Sequence, residues 1–207
     1  MALDLEEQEQ LDEFKAWWKT NGKILMTLLG AALIGYIAYI GWQSHVSKQS
    51  LEASNAFIAL TALDPKDTKA IQTAATSIMD KFAGTPYAGR ASLIAARISH
   101  DSKDNKTAKT QLNWATKNAK EDAVKAMAIL QLAAIQFEEA AYDDALKTLT
   151  LAHDKSFDGL VADMQGDVYV AQGKKAEAKT AYEKALTTLD PRSQYQSFTR
   201  SKLESLN

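Results

Sequence analysis

Between Ile24 and Trp42 the chain reads ILMTLLGAALIGYIAYIGW, nineteen residues without one formal charge. Wound as an α-helix this run is about 28 Å long, close to the hydrocarbon thickness of a bilayer. It stays uncharged to Ser47, with His45 neutral at pH 7. Trp17, Trp18, Tyr39 and Trp42 place amphipathic rings near the expected interfaces. A core helix of a soluble protein seldom runs so far without a polar face. A secretory signal has a shorter apolar stretch, about 7–15 residues, and an A-x-A-like site close behind it, which this chain lacks. The pattern predicts a retained transmembrane helix over 24–42 and makes the lipid bilayer the first expected partner.

Lys15, Lys19 and Lys23 precede the span, whereas Lys48 alone follows closely. By the positive-inside tendency the N-terminus is expected in the cytoplasm and the larger C-terminal part outside, in a Gram-negative cell the periplasm. Six acids (Asp4, Glu6, Glu7, Glu9, Asp12, Glu13) sit ahead of the lysines, but acids contribute little to that rule. Residues 1–23 are thus expected as a cytoplasmic acidic tail. Within it, 2–20 reads as a short amphipathic helix with Leu11, Phe14 and Trp18 on one side. That side suits either docking or rest on the membrane surface. In the span, Ala31 and Gly35 form a small-xxx-small pair that would let another helix pack closely.

With the three lysines and six acids of the N-terminal segment set aside, the remainder carries 21 basic and 20 acidic side chains. A near-neutral surface offers no general attraction for phosphate backbones, so nucleic acid is not an expected partner. Zero cysteines remove disulfides, thiolate nucleophiles and cysteine-based metal sites. They also suit an oxidising compartment. Three prolines, nine glycines and abundant Ala, Leu, Lys, Glu and Gln favour helix.

Breaks fall at Asp64-Pro65, Gly84-Thr85-Pro86, Gly159, Gly173 and Asp190-Pro191. Between them the apolar spacing predicts helices near 48–63, 67–82, 87–101, 104–119, 121–140, 142–154, 158–172, 175–189 and 192–205, with no strand. Residues 43–66 are expected as a membrane-proximal connector and 67–207 as one domain. That domain shows self-similarity near the 34-residue period of tetratricopeptide (TPR) hairpins. In 159–191, Gly166, Tyr169, Ala178, Tyr182 and Ala185 take the small and aromatic positions where paired helices cross, Gly173 the turn and Pro191 the end. Ala162 stands where Trp is usual, Gln165 where Leu is usual, and the proline comes one residue late. Upstream, Ala145, Leu149 and Ala152 with Ala133 repeat the pattern, and so do Ala108, Leu112 and Ala115 with Ala96. The expected fold is all-α: one transmembrane helix, then a short TPR-like α-solenoid of about three degenerate hairpins with flanking helices, one capping the open end.

Catalytic chemistry finds little footing. His45, His100 and His153 lie far apart, without a His-x-x-x-His pair. His100-Asp101 and His153-Asp154 repeat a dipeptide seen in some phosphohydrolases, each at a predicted helix end. The glycines of 166–175 are two residues too far apart for a phosphate loop, and no strand precedes them. Glu138-Glu139 and Asp143-Asp144 are sequence neighbours that do not face each other on a helix. No enzyme, metal or cofactor is expected. What remains is a concave face lined by the first helix of each hairpin: Arg90, Arg97 and His100; Leu130, Ala134 and Phe137; Asp163, Asp167 and Val170. It reads basic, apolar, acidic, a groove for a partner helix or an extended peptide.

The layout resembles the YfgM family of ancillary SecYEG translocon subunits. The resemblance rests on EQEQLDEFKAWWKTNGK (Glu7 to Lys23) before the span and on KFAGTPYAGRASLIAAR (Lys81 to Arg97), and it covers nearly the whole chain. It implies an inner-membrane protein with a periplasmic TPR domain beside the translocon exit, near a PpiD-like chaperone, assisting handover of emerging secretory proteins. It supplies no functional residues to carry across. A different reading is a membrane-tethered TPR scaffold whose cytoplasmic tail regulates a soluble signalling protein. A third, an anchored hydrolase, would have to use His100 and Asp101.

Overall fold

A computed structural model describes residues 5–206 of the chain; residues 2–4 of the expected tail helix lie outside it. The described residues are helical throughout, without a strand: α1 (Leu5–Thr61), α2 (Thr68–Lys81), α3 (Pro86–Asp101), α4 (Asn105–Asn118), α5 (Asp122–Glu138), α6 (Tyr142–Thr148), a 3₁₀ turn (Lys155–Phe157), α7 (Asp158–Ala171), α8 (Lys175–Thr188) and α9 (Gln194–Glu204). The chain forms two compact units, Met1–Gln49 and Ser50–Asn207.

The tail, span and connector expected as separate pieces form a single 57-residue helix. The connecting stretches Thr20–Lys23 and Gln43–Ser47 hold no proline, and a lone Gly22 costs a helix only about 1 kcal/mol. Leu28, Leu29, Leu33, Ile34, Ile37 and Trp42 are all exposed, and no residue in the apolar window of this helix is buried by the chain. Apolar surface of that length without protein cover needs another apolar medium.

In the second unit the breaks read from sequence hold. Asp67 caps α2 by accepting from the Ala70 amide at 3.0 Å, and Asp104 caps α4 by accepting from Thr107 at 3.1 Å. Pro86 opens α3, where its missing N–H leaves no bond unmade. Three hairpins follow, α3–α4, α5–α6 and α7–α8, with α3 against α5 and α5 against α7. Their turns share one device, a residue with positive φ: Lys103 at 65°, Ala140 at 58° and Gly173 at 72°. These positions are spaced by 37 and then 33 residues, the same steps that separate Ala108, Ala145 and Ala178. In each turn the following amide reaches back five residues: Asp104 to Ser99, Ala141 to Gln136, and Lys174 to Tyr169. The repeat is therefore in the backbone as well as in the side chains.

The expected small positions lie where the helices meet. Ala96, Ala108, Ala115, Ala133, Ala145, Ala178 and Ala185 are all buried, with Leu112 and Leu149 between them. Ala162, in the place expected for Trp, is fully buried as well. A methyl on Gly166 would come within 2.3 Å of the Tyr182 ring, so the aromatic side chain fills the space the glycine leaves.

One expected helix is shorter than the spacing implied. α6 stops at Thr148, six residues before the expected end, and Ala152 is exposed instead of packed. Leu149 enters the core, and the amides of Thr150 and Leu151 make tighter three-residue bonds to Lys147 and Thr148. The His153 ring then bonds the Leu151 carbonyl at 2.7 Å, occupying the acceptor that helix continuation would use.

A candidate partner-binding groove

The three first helices, α3, α5 and α7, carry the nine residues of the expected groove in very different surroundings. At the start of α3, Arg90 donates two bonds to the Glu121 carboxylate, at 2.7 and 2.6 Å. This fork holds the Glu121 carboxyl below its ordinary range and raises the Arg90 guanidinium. Arg90 therefore ties α3 to the residue that opens α5. Arg97 is left open, its side chain 80% exposed with only a 4.0 Å approach to Asp101.

Arg97, His100 and Ala134 share a recess of about 290 Å³ between α3 and α5, together with Gln131 and Glu138. His100 is oriented from both sides: Nδ1 is 2.9 Å from Asn105 Oδ1, and Nε2 is 3.5 Å from a Glu138 carboxylate oxygen. Asn105 in turn donates to Glu139, which also pairs with Lys109 and is held below its ordinary pKa chiefly by that bond. Asp101 lines the recess beside His100 and lies 4.0 Å from Arg97, while the ring nitrogens of His100 face Asn105 and Glu138 and not Asp101. His153 lies in the α6–α7 connection, 3.2 Å from Asp158. Among the described residues, no three His, Asp or Glu side chains are grouped as metal ligands.

The middle of the expected face is turned mostly inward. Leu130 and Phe137 pack on the core around Ile129, Leu149 and Val161, and Phe137 lies against Tyr142 with ring centres 5.8 Å apart. Ala134 is the member of this trio that lines the recess.

The acidic end is covered. Lys202 of α9 reaches Asp163 and Asp167, each at 2.7 Å, while Thr199 donates to Asp163 and the Tyr182 hydroxyl donates to Asp167, both at 2.7 Å. Burial and the Asp167 carboxylate push the Tyr182 hydroxyl far up, so it serves as a permanent donor. Burial alone would lower Lys202, but bonds to the two carboxylates outweigh it and raise the ammonium. Val170 remains exposed at the other end of α7. The structure thus brings Arg97, His100 and Ala134 together and assigns Asp163 and Asp167 to the contact with α9. Gln131, Thr199 and Lys202 were not singled out from sequence, and Glu138 was weighed only as half of an acid pair. Thr199 and Lys202 are three apart in the helix expected to cap the repeats, which places them on one face. In the other unit, Ala31 is exposed and a methyl on Gly35 would meet nothing, so the small pair is open to an outside helix.

These features define a TPR-like helical-repeat protein with one membrane-length helix at its N-terminus. The family model described as a tetratricopeptide repeat-like domain matches residues 15–207. The "Ancillary SecYEG translocon subunit" of Neisseria gonorrhoeae is 33% identical over 210 residues, covering all of both chains. The proteins of that name from Haemophilus influenzae and Escherichia coli K12 are each 30% identical, covering 89% and 88% of this chain and 91% and 88% of their own. The chain belongs to this family of ancillary SecYEG translocon subunits, the YfgM family. Fold and family both point to a binding role and not to catalysis.

Proposed function

We propose that this protein is a non-enzymatic accessory of the SecYEG translocon. Its apolar helix sits beside the channel in the inner membrane, and its TPR-like domain, on the periplasmic side, binds a PpiD-like chaperone or emerging secretory chains. The observation that carries the reading is the full-length match to relatives bearing that name, with the anchor and the repeats in one alignment. The Arg97–His100–Ala134 recess supports it physically. It is open and mixed in charge, and the surrounding bonds fix its walls, as a peptide or helix groove requires.

The test is in-cell photo-crosslinking with probes at Gly35, Arg97 and Ala134. Phe137 and Asp167 are unsuited as probe sites because they pack internally. Channel adducts from Gly35 and chaperone or secretory-chain adducts from the groove are expected. Adducts to soluble cytoplasmic proteins from Phe14, with no translocon adduct from any site, would replace this reading with the signalling scaffold.

A further inference from the structure

The stretch of α1 just before the apolar run carries an arrangement that a generic anchor does not need. Phe14 and Trp18 are one turn apart with ring centres 6.2 Å apart, and they share a recess of about 400 Å³ with Lys15 and Lys19. A methyl on Gly22 would lie 3.2 Å from Cε2 and Nε1 of Trp18, so the indole rests along the helix over that glycine. The glycine is thereby buried, whereas the helix around it from Leu11 to Lys19 is exposed. Phe14, Trp18 and Gly22 form one helical row, and Lys15, Lys19 and Lys23 form the row beside it. An apolar floor edged by a line of ammonium groups fits an anionic headgroup and the start of its acyl chains.

The upstream acids do not cancel this edge. Asp12 holds Lys15 at 2.9 Å, but no ion pair is formed by Lys19 or Lys23 among the described residues. At 1.5 Å per residue, Lys19 lies about 9 Å along the axis from Glu13, the nearest upstream acid, roughly one Debye length at physiological salt. The recess lies little more than one helical turn before the uncharged stretch beginning at Ile24, which sets it at the depth of phosphate groups if that stretch spans the bilayer.

We infer that Phe14, Trp18, Lys15 and Lys19 form a binding site for an anionic phospholipid, with the phosphate on Lys19 and Lys15 and the upper acyl chains over the two rings. The inference rests on the membrane reading of α1. It is tested with the full chain, carrying Trp42→Phe and Trp114→Phe so that only Trp17 and Trp18 report, reconstituted in phosphatidylcholine vesicles containing phosphatidylglycerol. One or the other lipid is brominated on its acyl chains, at equal mole fraction. Quenching by the brominated anionic lipid should exceed that by the zwitterionic one, with a local enrichment of about fivefold for Lys19, the lysine of the site that has no acid partner. Lys15→Gln with Lys19→Gln should cut the difference to what the remaining Lys23 attracts, while quenching by phosphatidylcholine persists. Equal quenching by both lipids in the unaltered lysine background would overturn the site. So would no quenching by either in a chain that resists alkaline extraction, because a second copy would then cover the rings. Release of the chain by alkaline extraction would instead sink the membrane reading itself.

Discussion

Gly166 and Tyr182 show how a single missing methyl sets the distance between paired helices. The Tyr182 ring is held by its bond to Asp167 and cannot swing aside, so Gly166→Ala forces α7 and α8 apart. Alanine would return about 1 kcal/mol of helix propensity, against about 1–3 kcal/mol for overpacking. We expect a net loss of up to about 2 kcal/mol in urea unfolding, part of which Tyr182→Phe in the same chain should relieve by freeing the ring from Asp167. Ala140 presents the opposite case. It adopts φ 58°, where the equivalent turn residue Gly173 has φ 72°. A left-handed alanine costs about 1–2 kcal/mol and a glycine's added freedom about 0.5–1 kcal/mol. Ala140→Gly should therefore raise the unfolding free energy by up to about 1.5 kcal/mol, seen as a higher urea midpoint; an unchanged or lower midpoint would count against strain in that turn.

At the scale of elements, α9 stands where a next repeat would begin, and Lys202 fastens it to two aspartates of α7. Because the folded Lys202 pKa is raised, its contribution is fully present below the unfolded value, near 10.4. It is lost as pH rises through the folded value. Lys202→Met should lower the melting temperature at neutral pH and flatten its decline above that unfolded value; a parallel decline in both proteins would show that the ammonium is not what holds α9. The element boundaries were legible because proline and glycine act locally: Pro65, Pro86, Gly173 and Pro191 mark the same breaks in sequence and structure. The end of α6 was not legible. It depends on a His153–Leu151 carbonyl bond and on Leu149 entering a core built by distant helices. The groove was read in part for a similar reason. Repeat alignment put Arg97, His100 and Ala134 on a common face, but whether Asp163 and Asp167 stay open depends on a helix that the repeat pattern does not describe.

For the molecule as a whole, the two compact units pose different solvation problems, and this separates their behaviour. The domain from Ser50 buries its alanines and leucines within its own hairpins. The apolar stretch of α1 buries nothing. A fragment beginning at Ser50 should therefore be soluble without detergent and melt cooperatively, since each hairpin is stabilised by its neighbours and none by the bilayer. The full chain should need detergent or lipid. Arg97→Glu, on a side chain with little structural engagement, should change the fragment's unfolding free energy by no more than about 0.5 kcal/mol, while reducing capture of any groove-bound partner. The same substitution in the full chain should leave resistance to alkaline extraction unchanged. If the fragment instead aggregates or melts without cooperativity, the hairpins depend on surface from outside the domain. If Arg97→Glu destabilises it, the recess is part of the core and the partner groove lies elsewhere.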